Sequence, residues 1–178
     1  MTRLFLFFVC ALCTFQSFAA EFNSTVLKKS EDGIWQYEKV IVSDNQSKEV
    51  LYKTIKDWVL QNVRTVDNNI IFDDINFEAI VTTPTIQLAD IKRLCVNQTV
   101  NFKLVIKFKD NRIRVSATGF NYHGVDGGRA YMVPIQELHI KNMFPNPEKK
   151  VFENFDLAFS SFITLLEKAT MNTKKDTW

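Results

Sequence analysis

The chain predicts an α+β fold, an antiparallel sheet of about five strands with two helices packed on one face. Three observations carry that expectation. A stretch of alternating apolar and charged residues folds back on itself at Asp110-Asn111 as a hairpin. Two segments, Lys48–Val63 and the one beginning at Pro147, repeat apolar residues at helical spacing. β-branched and aromatic runs fill the intervals between them. The expected order is strand, helix, four strands, helix.

Ile34–Val42 is rich in β-branched and aromatic residues (Trp35, Tyr37, Val40, Ile41, Val42) and reads as the first strand. Ser43-Asp44-Asn45 breaks it. Ser47 then serves as an N-cap, with Glu49 in the first turn where the helix dipole favours a carboxylate. Val50, Leu51, Ile55, Trp58, Val59 and Val63 form one apolar stripe, so the first helix runs from Lys48 to Val63. Asp67-Asn68-Asn69 reads as a turn, Ile70–Phe72 as a short strand and Asp73-Asp74 as another turn. Glu78–Thr83 is the next strand, ended by Pro84. Thr85–Asn97 reads as a loop with a short helical turn.

The hairpin is the clearest local feature. A two-residue loop at Asp110-Asn111 sets Lys109 opposite Arg112. Inward pairs are then Phe108 with Ile113, Ile106 with Val115, and Leu104 with Ala117, all apolar, and a one-residue slip would destroy every one. The other face presents Lys107 opposite Arg114, Val105 opposite Ser116 and Lys103 opposite Thr118, so one face meets a core and the other meets water or a partner. Gly119–Asn142 reads as mostly loop, including His123-Gly124-Val125-Asp126-Gly127-Gly128, with Tyr131–Val133 a candidate strand. Asn146 caps the last helix and Pro147 takes its first position. Its wide apolar face is Val151, Phe152, Phe155, Phe159, Phe162, Ile163 and Leu166, and full burial of each Phe contributes about 1.5–3 kcal/mol.

Ahead of this domain, Arg3, the apolar run Leu4–Cys13 and the small residues Ser17 and Ala19 have the layout of a signal peptide cleaved after Ala19. The run is too short to span a bilayer, for which roughly 20 residues are needed. The predicted organisation is a signal peptide at 1–19, an extended lead-in at 20–32, the domain at 33–168 and a polar tail at 169–178. Export to the periplasm or beyond follows. Leu12 before Cys13 argues against lipidation there, since Gly, Ala or Ser normally precedes the acylated cysteine. Cys10 and Cys13 leave with the signal, so Cys95 remains alone and the core must hold the domain without a disulfide. The net charge of +2 and a charged content of 24% provide no global field toward nucleic acid. The sequons at Asn23, Asn45 and Asn97 occur about as often as chance allows and matter only in a eukaryotic secretory pathway.

Two stretches resemble a family of secreted bacterial domains of unknown function with a fold like the TATA-binding protein (TBP-like). One is Ser47-Lys-Glu-Val-Leu-Tyr-Lys-Thr-Ile-Lys-Asp-Trp58, leading through Asn69-Ile-Ile-Phe72 to Glu78-Ala-Ile80. The other is Val100-Asn-Phe-Lys-Leu-Val-Ile-Lys-Phe-Lys-Asp110 with Arg112-Ile-Arg-Val115. The resemblance covers residues 34–122 and, loosely, the last helix; Thr85–Asn97 is longer than the family pattern. It implies the strand–helix–four-strand–helix order and an envelope location. It transfers no catalytic or ligand residue, and a shared fold does not carry DNA binding with it.

The candidate site is the open face of the hairpin: Lys103, Lys107, Lys109, Arg112 and Arg114. Such a cluster suits an anionic partner, whether a phosphorylated lipid headgroup, an acidic glycan or an acidic protein surface. The plainer reading is a charged strand face that deters aggregation. Stacking aromatics between the charges would mark nucleic acid, and only Phe120 qualifies, so nucleic acid is not expected. No cofactor or metal is expected: His123, Asp126 and His139 match no short ligand spacing. Cys95 reads as a small apolar group rather than a nucleophile. Asp126-Gly127-Gly128 lacks the strand-to-helix setting of a phosphate loop. Asp73 and Asp74, being adjacent, read as a turn pair rather than an acid/base pair. The sequence thus favours a non-catalytic exported binding module. The rivals are an envelope hydrolase with its site in 119–142 and an assembly subunit that pairs through a sheet edge.

Overall fold

The structure, a computed structural model, describes residues 24–74, 79–90, 95–126, 129–138 and 147–171. The proposed cleavage site, Glu78, the Asn146 cap and His139 lie outside these residues. The elements are β1 (Lys28–Lys29), β2 (Trp35–Val42), α1 (Lys48–Asn62), β3 (Thr65–Asp74), β4 (Ala79–Gln87), β5 (Cys95–Lys109), β6 (Arg112–Asp126), β7 (Arg129–Pro134), a 3-10 turn (Ile135–Glu137) and α2 (Pro147–Met171). The fold is α+β, with an antiparallel sheet in the order β1-β2-β6-β5-β4-β3, and β7 also pairs with β6. Two strands join the five expected. One is β1, from the stretch read as a lead-in, and the other is β7, around Tyr131–Val133.

The hairpin forms in the expected register, with Lys109 opposite Arg112, Phe108 opposite Ile113, Ile106 opposite Val115 and Leu104 opposite Ala117. Alternation works because inward residues are removed from water: Leu104, Ile106, Ile113, Val115 and Ala117 are fully buried. β6 then changes parity. Lys103 opposes Thr118 but Asn101 opposes Asn121, so β6 carries one extra residue there. Gly119 absorbs it with φ +65, as a bulge residue in the left-handed region. Odd-numbered positions face the core before it, and Phe120, Tyr122 and Gly124 face the core after it. β5 carries a matching irregularity at Asn97, with φ 53.

Several expected breaks are strand instead. β4 runs through Pro84 without a register shift, since Thr82 opposes Leu104 and Thr85 opposes Asn101. On the β3 side, Thr85 N–H donates to Arg64 O at 2.7 Å, so the ladder resumes just past the proline. Asp67-Asn68-Asn69 is absorbed as an irregularity within β3 rather than forming a turn, and Asp73 and Asp74 pair with Ile80 and Ala79. His123–Asp126 belongs to β6 and is not loop, while Cys95–Asn97 opens β5.

α1 starts at Ser47, whose hydroxyl accepts from Val50 N–H at 3.4 Å. A second cap comes from the hairpin tip, where Asp110 Oδ1 accepts from Lys48 N–H at 2.9 Å. Asn111 joins in. Its N–H donates to Gln46 O, its O accepts from Ser43 N–H, and its Oδ1 accepts from Gln46 N–H at 3.0 Å. The inner face of α1 is Leu51, Tyr52, Ile55 and Val59; Val50, expected there, is 47% exposed, and Tyr52 supplies the missing bulk.

Both helices lie on the same side of the sheet. Tyr52 of α1 meets Phe108 edge-on at 5.4 Å, and Phe159 of α2 meets Tyr37 and Phe102 edge-on, each at 5.3 Å. Trp58 and Phe162 join the two helices to each other. Phe155 and Phe159 are fully buried, which makes α2 the lid of the core.

Candidate anionic-partner surface

The helices cover one side of the sheet, so the other side is where a partner can be met. Lys103, Lys107, Lys109, Arg112 and Arg114 all lie exposed on that side, as the hairpin pattern requires. The register sorts them. Lys107 with Arg114 and Lys109 with Arg112 form two adjacent cross-strand pairs at the tip end. These four, with Val40 of β2, line one shallow hollow of about 490 Å³. Lys103 is left out of it, because it stands four strand steps from Lys107, roughly 13 Å.

The electrostatics of the hollow are one-sided. Like charges directly opposed across a ladder repel. Arg114 has an exposed partner in Glu38, at 3.4 Å, a pair that solvent screens heavily. Among the described residues no carboxylate lies within ion-pair distance of Lys107, Lys109 or Arg112. A second hollow of about 470 Å³ continues around the tip, lined by Lys48, Glu49, Lys109, Asp110 and Arg112.

β2 contributes what hairpin reasoning missed. Val40 opposes Arg114 and Val42 opposes Arg112, so the cations are bordered by an apolar strip that is 47% and 59% exposed. The alternation of Trp35, Tyr37 and Ile41 against Gln36, Glu38, Val40 and Val42 marks the faces of β2. Nothing local in the sequence says that β2 pairs with β6.

Of the residues weighed for catalysis, His139 lies outside the described residues, and His123 and Asp126 lie on β6. His123 opposes Thr99 and Met132 on the ladders, half-buried, and its Nε2 has no hydrogen-bond partner. Asp126 opposes Cys95 and Arg129 at the strand end. Among the described residues no cluster of three or more metal-ligating side chains occurs. The polar network the structure does build is structural. Tyr122 Oη donates to Gln98 Oε1 at 2.9 Å, and Gln98 Nε2 and Asn154 Nδ2 both donate to Ala89 O at 3.1 Å, tying α2 to the sheet.

With this architecture in view, comparison with known families finds a match. Residues 37–123 match DUF4468, a domain of unknown function with TBP-like fold. The matched stretch takes in β2 from Tyr37, all of α1 and the hairpin as far as His123, including the hollow. Two solved structures share the fold. A TBP-like protein from Parabacteroides distasonis aligns with TM-score 0.65 at 15% identity, covering 80% of this chain and 96% of its own. A DUF4468 family protein from Bacteroides ovatus aligns with TM-score 0.60 at 14% identity, covering 85% and 94%. At such identities the likeness to these two structures shows the fold alone. No curated protein matches the chain.

Proposed function

We propose that this protein is an exported, non-catalytic binding module that holds an anionic partner on the open face of its sheet. The observation that carries the reading is the hollow lined by Lys107, Lys109, Arg112 and Arg114, in which one of four cations has a carboxylate partner among the described residues. Strand faces kept charged only against aggregation need no concavity and gain nothing from opposed like charges. The signal-like start supports export, and no helix among the described residues is long and apolar enough to cross a membrane. Local concentration of charge, not the near-neutral whole, is what attracts the partner.

The test is salt-dependent retention on a polyanion column, using protein recovered from the envelope fraction and checked by mass for a start at Ala20. Lys107→Glu/Arg114→Glu should elute at much lower salt than the parent. The control, Lys53→Glu/Lys149→Glu, changes net charge equally on the exposed helix side and should shift elution far less. Equal shifts for both pairs would end the reading.

A further inference from the structure

We infer that the free edge of β2 accepts an acidic, extended segment of a partner protein as an added strand, a deepening that rests on the anionic-partner reading above. β2 pairs with β6 through the six residues Tyr37–Val42, but on its other side β1 reaches only Trp35 and Gln36. The chain leaves that edge at once. Ser24 Oγ accepts from Val26 and Leu27 N–H, Leu27 turns into the core, and the Ser24 and Thr25 hydroxyls donate to Asp156 of α2. Among the described residues, then, the outer edge of Tyr37–Val42 has no strand beside it. Unclaimed N–H and C=O groups in an extended row are a template for an incoming strand.

The side chains around this edge say what kind of strand fits. A guest lies about 4.8 Å beyond β2, so its residues opposite Val40 and Val42 sit roughly 10 Å from the β6 backbone, a gap that a carboxylate and an arginine side chain can close between them. Arg114 and Arg112 stand behind Val40 and Val42, so such a guest covers the apolar strip and meets the cations beyond. Lys28 and Lys29, exposed in β1, stand at the other end of the same edge. On the helix side Lys39 reaches Glu167 at 2.6 Å while staying half exposed, an edge charge that turns away apolar strands. A second copy of this chain brings the same cations to its own β2, and like charges then oppose pairing. The complement is an extended segment alternating acidic and apolar residues.

The probe is a short synthetic peptide alternating valine and glutamate, offered to the full chain. It is compared with the same peptide N-methylated at every residue, which keeps the charges but cannot form a ladder. The plain peptide should bind, slow amide exchange within Tyr37–Val42, and lose about tenfold or more in affinity on N-methylation or against Arg112→Glu/Arg114→Glu. Equal binding of both peptides overturns strand addition and leaves the anion-binding face standing. Failure of both peptides while the polyanion column still retains the protein does the same. Failure of the peptides together with loss of polyanion retention overturns both readings.

Discussion

Tyr37 is a buried tyrosine of β2 that faces the helices. Its ring packs edge-on against Phe159, and its hydroxyl is buried with no hydrogen-bond partner. Burial, with a smaller push from the Glu167 carboxylate, raises its pKa from 10.0 to about 12. The sign follows directly. The folded state holds the proton more tightly than the unfolded chain, so the stability from the neutral phenol is whole below pH 10. It is lost as pH climbs toward 12. Tyr37→Phe removes an unsatisfied hydroxyl and should leave stability at pH 7 unchanged or raise it by up to about 1 kcal/mol. It should also flatten the alkaline fall in a series of denaturant melts. A fall of the same steepness in the variant would assign the alkaline loss to other groups.

At the scale of elements, β6 keeps its two halves in register through two glycines of different kinds. Gly119 sits at φ +65 with open space where a Cβ would go, so its requirement is conformational. Gly124 has ordinary φ, but a Cβ there would stand 2.6 Å from Tyr122 Oη, so its requirement is room. Gly119→Ala should cost about 1–2 kcal/mol from the left-handed backbone alone, and Gly119→Asn noticeably less. Gly124→Ala should cost about 1–3 kcal/mol and be eased only in part by Tyr122→Phe, which withdraws the oxygen at 2.6 Å but leaves two ring carbons at 2.9 Å. Urea melts of the single and double variants measure both; additivity at 124 and 122 would contradict the steric account.

The same strand marks where sequence reasoning stops. The hairpin from Leu104 to Ala117 is legible because partner and pattern lie within a few residues of each other, and the cations of its open face come with it. The Gly119 bulge breaks the alternation, so Phe120 to Asp126 looks like loop. Pro84 reads as a strand end, although Thr85 recovers the ladder on the far side. The hollow is only half legible, since Val40 lines it and Glu38 meets Arg114 through the long-range pairing of β2 with β6, which leaves no local trace.

At the scale of the whole molecule, the hairpin tip and the β2–α1 connection are one junction. Asn111 serves it in two ways, by its φ of 63 and by the side-chain oxygen that accepts from Gln46 N–H. Asn111→Gly separates them, because glycine takes that backbone conformation freely but supplies no acceptor. The variant should lose about 1 kcal/mol in a thermal melt despite keeping an ideal turn residue. No loss would mean that the tip is held by its backbone bonds alone.

Joining these parts has a kinetic side. The hairpin closes on itself early, since its contacts are short in sequence, whereas α1 receives the Asp110 cap only after some 62 residues of separation are bridged. Until that happens the helix has one of its two N-terminal acceptors and frays at Lys48. A chain emerging stepwise from its N-terminus would therefore complete the cap of its first helix only once the hairpin tip has followed, and the tip acts as a latch that reports the arrival of everything between.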